Sequence, residues 1–173
     1  GILDYSGIPY VGCGMMSSAL CMDKIYTKQL LNAAGVKQSS YSVVRKNHDM
    51  KSVKDDLEGF SYPLFVKPAN MGSSVGITKV KNESELESAI EVALRYDSKV
   101  LVEEGVDARE IEVSVLGNDD EISVSTPGEI IVNDDFYDYE TKYIKSTSTL
   151  QIPAEITEAQ AKEIRSTAEA AYR

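Results

Sequence analysis

Hydrophobic and polar positions along residues 62–80 follow the pattern of a β-hairpin. Residues 64–66 form a short block of strand-favouring side chains, and residues 75–80 alternate with a period of two after a turn rich in glycine and serine. Lys67 stands beside the first apolar block, where an ammonium is costly unless a negative group meets it. We expect the rest of the chain to be arranged around this hairpin.

A period of three to four residues predicts helices elsewhere. The first covers residues 17–34, begins at a serine cap and stops at Gly35. Capping boxes predict two more, over residues 82–96 and 157–173. Residues 49–58 are predicted to form a short charged helix or a loop.

Short apolar runs and period-two alternation predict the remaining strands. They lie at residues 8–11, 41–44, 100–104, 110–116 and 122–126. We expect the first to be the last strand of a preceding domain. Residues 133–149 have no clear period and predict a long loop, which in a compact domain is usually functional or disordered. Strands grouped around hairpins, with helices between some of them, indicate an α+β fold.

The composition excludes several classes of protein. With 42% hydrophobic residues and no apolar run of membrane-spanning length, the 173-residue chain is predicted to be soluble, with no membrane partner. Its formal net charge of -10 opposes binding to nucleic acid, so a polyanionic ligand must be met by particular lysines and metal ions. Cys13 and Cys21 have no disulfide or metal-site spacing, so we expect free thiols and a cytoplasmic location.

The turn of the hairpin has the chemistry of a phosphate site. Gly72 and Gly76 free backbone N–H groups around it. The hydroxyls of Ser73 and Ser74 lie between them, and Lys67 adds a positive charge, so together these groups suit a polyphosphate. The alternative is a lysine at a strand edge that reaches water beside an ordinary glycine-serine turn, and the segment by itself leaves both interpretations open.

A second candidate site follows the strand at residues 100–104. Glu103 and Glu104 end this strand at Gly105-Val106, and Glu110 begins the next. A strand end with a carboxylate, an apolar residue and exposed backbone groups can bind an adenine edge, while a second acid nearby can take ribose hydroxyls. A plain polar connection between two strands is the alternative.

Residues 136–143 are unusually aromatic for a loop. Such a segment is predicted to fold over a ligand, exclude water and present Lys142 and Tyr143 to it. Alternatively, its rings only pack on the body of the protein.

Taken together, these segments resemble one known family, the D-alanine:D-alanine ligases of the ATP-grasp superfamily. The likeness covers essentially all 173 residues, in the right order and spacing. It is carried by residues 8–14, 17–24, 100–105, 109–113 and 136–143, and by Val66-Lys-Pro-Ala-Asn-Met-Gly-Ser-Ser-Val-Gly-Ile-Thr-Lys-Val80.

The resemblance implies an enzyme of peptidoglycan precursor synthesis. In this family ATP phosphorylates the carboxylate of a first D-alanine, and the amine of a second D-alanine attacks the acylphosphate. Such chemistry depends on positioning, charge neutralisation and protection from water. By the resemblance, Lys24 and Lys67 contact the ATP phosphates, and the loop Gly72–Gly76, with Ser74 inside it, closes over them. Lys142 approaches the transferring phosphate.

The resemblance also implies roles for the other candidate residues. Glu103 and Val106 meet the adenine, Glu104 and Gly105 contribute backbone to that hinge, and Glu110 takes the ribose. Ser73 and Tyr143 join the hydrogen bonds that hold the flexible loop shut over the substrates.

Parts of the family pattern are missing from this chain. By the resemblance it contains a remnant of an N-terminal domain at residues 1–12, a central ATP-grasp subdomain at 13–106, and an incomplete C-terminal subdomain at 107–173 with a covering loop at 133–149. The ligands for Mg²⁺ or Mn²⁺ are expected beyond Arg173, and we predict no metal ligand in the chain itself. We therefore predict that the chain alone is inactive, which phosphate release above background from ATP, Mg²⁺ and D-alanine would contradict.

Other functions stay open. One alternative is a ligase that joins D-alanine to D-serine or D-lactate. It is disfavoured because residues 137–143 keep the pattern that is usual for the enzymes that join two D-alanines. The same loop disfavours an ATP-grasp ligase for other substrates. A non-catalytic ATP-binding module would bind nucleotide without turnover. The expected partners are ATP and D-alanine, and the parent protein is expected to be a homodimer.

Overall fold

The computed structural model of the chain describes residues 1–118, 121–132 and 148–173. They form two compact units. The first contains Gly1–Leu30 and Ser39–Gly105, and the second contains Leu31–Gln38 and Val106–Arg173. The predicted division into a remnant and two subdomains stays a prediction. Among the described residues, no helix combines the length and the apolar character needed to cross a membrane.

The first unit contains a four-stranded antiparallel sheet in the order β1-β4-β2-β3. Its strands are β1 (Tyr41–Arg45), β2 (Leu64–Pro68), β3 (Thr78–Val80) and β4 (Lys99–Glu104). These confirm the predicted hairpin, which is the pair β2–β3, and the strands predicted on either side of it. β3 begins later than predicted because the N–H groups of Val75 and Ile77 donate to the carbonyls of Gly72 and Ser74 and form turns there.

Five helices begin within the described part of the first unit. They are α1 (Ile2–Tyr5), α2 (Met15–Met22), α3 (Lys24–Ala33), α4 (Met50–Asp56) and α5 (Leu86–Leu94). The single helix predicted over residues 17–34 is wrong, because the chain becomes extended at Asp23. The Asp23 carboxylate accepts the N–H groups of Ile25 (3.0 Å) and Tyr26 (3.2 Å) and so caps α3. Gly35 follows α3 with a φ of 74°, as expected of a helix stop.

Two other predictions on the first unit need correction. Residues 8–11 are exposed and form no strand. The capping box predicted at residues 82–85 is also wrong, because Asn82 caps a short 3-10 turn (Glu83–Glu85) instead. The Glu85 carboxylate accepts the N–H of Lys81 at 2.8 Å. The helix predicted after this turn is confirmed as α5, and the charged helix predicted near residue 50 is confirmed as α4.

Side chains of the sheet alternate between its two faces. One face packs against α4 and α5 and forms the main core, whose buried members include Leu64, Val66, Val80, Val100 and Val102. The other face carries a smaller apolar cluster of Ile25, Ala69 and Leu101. The alternation in β2 places Lys67 on this second face, so its ammonium stays clear of the main core.

The second unit contains six described elements. They are β5 (Glu110–Glu112), β6 (Val115–Asn118), β7 (Glu121–Val124), β8 (Gly128–Val132), β9 (Ser148–Gln151) and α6 (Glu158–Tyr172). The strands form a three-stranded antiparallel sheet in the order β5-β8-β9 and a separate β6–β7 hairpin. The capping box predicted at the start of α6 is confirmed between Thr157 and Gln160.

The sequence patterns of the second unit predict its strands less well. The strand predicted over residues 110–116 is two strands, β5 and β6, and neither β8 nor β9 was predicted. Residues 148 and 149 belong to β9 rather than to the predicted loop. The rest of that loop, residues 133–147, lies outside the described residues.

Candidate functional site

The candidate site begins with an ion pair on the second face of the sheet. Lys67 leaves β2 on this face, and its Nζ lies 2.5 Å from Oε2 of Glu103 on the neighbouring strand β4. Both side chains are largely buried, with 24% of the Lys67 side chain and 12% of the Glu103 side chain exposed. The negative partner that the sequence required for Lys67 is therefore Glu103.

Glu103 accepts two further hydrogen bonds at its other carboxylate oxygen. Nζ of Lys28 on α3 and Oγ of Ser39 each lie 2.5 Å from Oε1. Burial alone would raise the pKa of Glu103. The charge of Lys67 and the hydrogen bonds from Lys28, Lys67 and Ser39 outweigh burial and lower that pKa from 4.5 to about 2. The carboxylate is thus ionised at any physiological pH.

Lys24 lies at the base of the loop that joins β2 to β3. Its Nζ donates to the carbonyl oxygens of Pro68 (3.1 Å), Ala69 (3.3 Å) and Met71 (2.5 Å), and its backbone N–H also donates to Ala69. Burial and the charge of Lys67 lower the pKa of Lys24. The Lys24 ammonium is thus bonded to the backbone that directly follows Lys67, at one end of the loop. This juxtaposition can meet the charge of a polyanion.

The loop itself has an unusual backbone. Ser73 (φ 49°), Ser74 (φ 60°) and Gly76 (φ 71°) all have left-handed conformations, which cost energy for residues other than glycine. A methyl group at Gly76 would lie 2.7 Å from the ring of Tyr96 and 2.8 Å from the ring of Pro68, so only glycine fits there. Successive left-handed residues turn backbone N–H groups toward one side, which is how many loops bind phosphate.

The end of β4 is tied to the segment before β2. The Glu104 carboxylate accepts the N–H of Ser61 at 2.8 Å, and this bond is the largest cause of the lowered pKa of Glu104. The N–H of Gly105 donates to the carbonyl of Pro63 at 2.8 Å, and a Cβ at this position would lie 2.6 Å from the same oxygen. The predicted hinge residues of the first unit therefore have a fixed backbone.

The second unit has its own ion pair, between the exposed Arg109 and the buried Glu129. Nε and Nη2 of Arg109 donate to the two carboxylate oxygens of Glu129 at 2.7 and 2.6 Å, and Nη2 also donates to the carbonyl of Glu155 at 2.9 Å. The hydrogen bonds from Arg109 lower the pKa of Glu129. The pair joins the start of β5 to β8 directly beside Glu110, the predicted ribose ligand.

The structure brings some of the predicted site residues together. Lys67 and Glu103 share the second face of the sheet, and Lys24 of α3 donates to the carbonyls at the base of the loop that contains Gly72, Ser73 and Ser74. Glu104 and Gly105 lie at the end of β4. Val106 and Glu110 belong to the second unit, where both are exposed. Lys142 and Tyr143 lie outside the described residues. The roles assigned to these residues stay predictions.

Two members of the cluster were not predicted. Lys28 follows Lys24 by four residues, and a spacing of one helical turn places both on the same side of α3. That spacing could have revealed Lys28. Ser39 carries no comparable signal, because its contact with Glu103 depends on how β1 and β4 pair.

Metal-ligand geometry is a separate test of the site. In the ranges that the structure describes, no three His, Cys, Asp or Glu side chains come together as a group that could hold a metal ion.

Comparison with known proteins matches this chain to one family. A family model described as "D-ala D-ala ligase C-terminus" matches residues 30–173. A D-alanine–D-alanine ligase of Streptococcus agalactiae is 49% identical over 174 residues, which cover 100% of this chain and 50% of the relative. One of Caldicellulosiruptor bescii is 50% identical over 179 residues, covering 100% of this chain and 48% of the relative.

Solved structures agree with these sequence matches. VanG D-Ala:D-Ser ligase from Enterococcus faecalis has a TM-score of 0.88 at 39% identity, covering 99% of this chain and 50% of its own. D-alanyl-alanine synthetase A from Vibrio cholerae has a TM-score of 0.85 at 34% identity, covering 99% of this chain and 53% of its own. The chain thus spans about half the length of the relatives it matches.

Proposed function

This chain belongs to the family described as D-ala D-ala ligase C-terminus. We propose that it is the nucleotide-binding part of an enzyme that joins two D-alanine molecules using ATP. The predicted α+β ATP-grasp fold is confirmed by its structural neighbours. In the proposed reaction, a carboxylate oxygen of the first D-alanine takes the γ-phosphoryl group of ATP, and ADP leaves. The amine of the second D-alanine then attacks the acyl carbon of the acylphosphate, a C–N bond forms, and phosphate leaves with the C–O bond.

One observation carries this proposal. The Lys24 ammonium donates to the carbonyls of Pro68, Ala69 and Met71, directly after Lys67 in the chain, at the base of the loop in which Ser73, Ser74 and Gly76 are left-handed. A triphosphate needs positive charge and backbone N–H donors at one place, and the base of this loop offers both. The net charge of -10 does not prevent triphosphate binding, because the lysines lie close to the ligand and charges farther away than ~8 Å are screened.

The remaining residues take roles around the nucleotide. We assign Glu103 and Val106 to the adenine, the Glu104 and Gly105 backbone to its hinge, and Glu110 to the ribose hydroxyls. Ser73 holds the loop shut together with Tyr143, and Lys142 approaches the transferring phosphate. These assignments follow the family resemblance, and the fixed backbone at the end of β4 supports the hinge role of Glu104 and Gly105.

A divalent cation completes the proposed site. Mg²⁺ or Mn²⁺ would neutralise and orient the β- and γ-phosphates, and its ligands are expected from sequence beyond Arg173. We further propose that the full-length enzyme is a cytoplasmic homodimer with ATP and D-alanine as its partners, which size-exclusion chromatography and cell fractionation can check.

Turnover by the full-length protein tests the proposed function. Phosphate release and D-alanyl-D-alanine formation are measured with ATP, Mg²⁺ and D-alanine, and both are expected in a ratio of one to one. Nucleotide binding without product would favour the non-catalytic module. Absence of both binding and product would overturn the proposal.

A second function is supported by one structural neighbour. VanG, the relative with a TM-score of 0.88, is a D-Ala:D-Ser ligase, so in that protein the same fold accepts a second amino acid with a hydroxyl group. The turnover assay with D-serine or D-lactate as the second substrate separates these activities. A higher kcat/KM with either of them than with D-alanine would favour the alternative.

A further inference from the structure

Lys28 contacts the same carboxylate as Lys67, from the opposite side. Its Nζ lies 2.5 Å from Oε1 of Glu103, and only 14% of the Lys28 side chain is exposed. No part of the proposed nucleotide chemistry uses this lysine. Removing the Lys28 ammonium from water costs free energy, so its mostly buried position requires a physical explanation.

The two oxygens of the Glu103 carboxylate have similar surroundings. In the strand register, Glu103 lies between Tyr41 of β1 and Phe65 of β2. The Lys28 ammonium lies 5.1 Å from the centre of the Tyr41 ring, and the Lys67 ammonium lies 5.6 Å from the centre of the Phe65 ring. Each lysine is thus held over one aromatic ring and bonded to one oxygen of the shared carboxylate.

Lys28 and Lys67 differ in the other groups that lie near them. Lys67 follows β2 into the loop and lies close enough to Lys24 to lower its pKa, so it borders the proposed phosphate site. Lys28 extends from α3 to Oε1, which also accepts the hydroxyl of Ser39. Oε1 is therefore bonded on the side of α3 and β1, and Oε2 on the side of the loop.

We propose that Lys28 is a positioning residue of the nucleotide site, which holds Oε1 of Glu103 in place while Lys67 leaves Oε2 to donate to a phosphate. This inference rests on the proposed function. When one of two bonded cations is withdrawn from a buried carboxylate, the remaining cation keeps the carboxylate ionised and oriented. Glu103 can then contact the adenine while Lys67 binds the phosphates.

If Lys28 positions Glu103, its removal has a consequence that would not follow if Lys28 only packed against its neighbours. Among the described residues, the groups that bond the Glu103 carboxylate are Lys28 from α3, Lys67 from β2 and Ser39 before β1. A third cation, Lys79 of β3, lies beyond the Phe65 ring, 6.0 Å from its centre. Without Lys28, withdrawal of Lys67 would leave the neutral Ser39 hydroxyl as the bonded partner of the carboxylate among the described residues, and burial would then favour a protonated carboxyl. Nucleotide binding would draw a proton from solvent.

Calorimetry on the full-length protein detects this proton. ADP is titrated at pH 6 into wild-type protein and into Lys28→Met in two buffers of different ionisation enthalpy, which gives the number of protons taken up. Protonation of ADP itself is common to both proteins and cancels in the difference. Lys28→Arg tests rescue by a retained charge, and Lys51→Met, an exposed lysine of α4, is the matched control.

The expected results separate this role from a structural one. Lys28→Met should bind ADP about tenfold more weakly at pH 8, the cost of one hydrogen bond to a charged group. It should take up additional protons at pH 6, and its affinity should improve relative to wild type as pH falls. Lys28→Arg should take up no additional protons, and Lys51→Met should match wild type throughout.

Contrary results distinguish this inference from the proposed function. If wild type binds ADP and Lys28→Met shows the same affinity and the same proton uptake, the positioning role is overturned while the proposed function stands. If wild type binds no ADP, both are overturned. Should Lys28→Met fail to fold, Lys28→Gln replaces it, and it should still take up additional protons because the amide has no charge, but fewer than Lys28→Met because the amide can donate a hydrogen bond to the carboxylate.

Discussion

The Lys67 ammonium and the Glu103 carboxylate lie 2.5 Å apart across the neighbouring strands β2 and β4. Both leave the sheet on the face opposite the main core. The sheet thus has one face built for stability, of buried aliphatic side chains, and one that carries charge. An acidic protein can in this way keep a local cluster of lysines for a polyanionic substrate.

Stability should depend on pH through Glu103. Its pKa is lowered in the folded protein from 4.5 to about 2, so its ionised form stabilises the fold above about pH 4.5, and this contribution is lost as pH falls toward 2. Glu103→Gln should therefore lower the free energy of unfolding by up to about 3 kcal/mol at pH 7. The difference from wild type should shrink at pH 3.5.

Urea denaturation of the full-length protein at pH 7 and pH 3.5 measures this difference. Glu91→Gln, which changes an exposed glutamate on α5, is the matched control and should show the same small effect at both pH values. An equal loss of stability in Glu103→Gln at both pH values would show that the carboxylate charge is not the cause.

Loop order should depend on Lys24. Its ammonium donates to the carbonyls of residues 68, 69 and 71, so Lys24→Met removes three bonds from the base of the loop. We expect faster amide hydrogen exchange at residues 70–76 and a KM for ATP raised about tenfold or more, since bonds to charged donors are strong. Unchanged exchange, with Lys51→Met as the comparison, would refute the loop role.

The two glycines of the loop should respond differently to alanine. Gly76 has a φ of 71° and no room for a methyl group, whereas a methyl group at Gly72 would meet nothing within 4 Å. Gly76→Ala should lose about 1–2 kcal/mol from backbone strain alone, and more from the contact with Pro68. Gly72→Ala should melt at the wild-type temperature. Equal melting temperatures for both variants would contradict the described loop conformation.

Much of the first unit follows from local sequence patterns. Short runs of apolar, strand-favouring side chains predict β1, β2 and β4, which the structure contains. Lys67 within an apolar context predicts a negative partner. The identity of that partner was not predictable, because Glu103 meets Lys67 only through the strand order β1-β4-β2-β3, which joins residues far apart in sequence.

The failures have physical causes as well. The break between α2 and α3 has no glycine or proline, and Asp23 ends one helix by capping the next. Strand β9 consists of the mostly polar residues Ser148–Gln151 and pairs with β8, so its structure comes from a partner that local periodicity does not include. In both places, contacts with other residues decide the structure.

The ion pair between Arg109 and Glu129 should hold the second unit together. The guanidinium donates to both oxygens of Glu129 and to the carbonyl of Glu155, a forked geometry that a lysine ammonium cannot reproduce. Arg109→Lys should therefore speed amide hydrogen exchange at residues 128–132 several-fold. The control is Arg165→Lys, because among the described residues Arg165 makes one long hydrogen bond, of 3.4 Å, to the carbonyl of Val124. Equal exchange in the two variants would mean that strand pairing alone holds β8 in place.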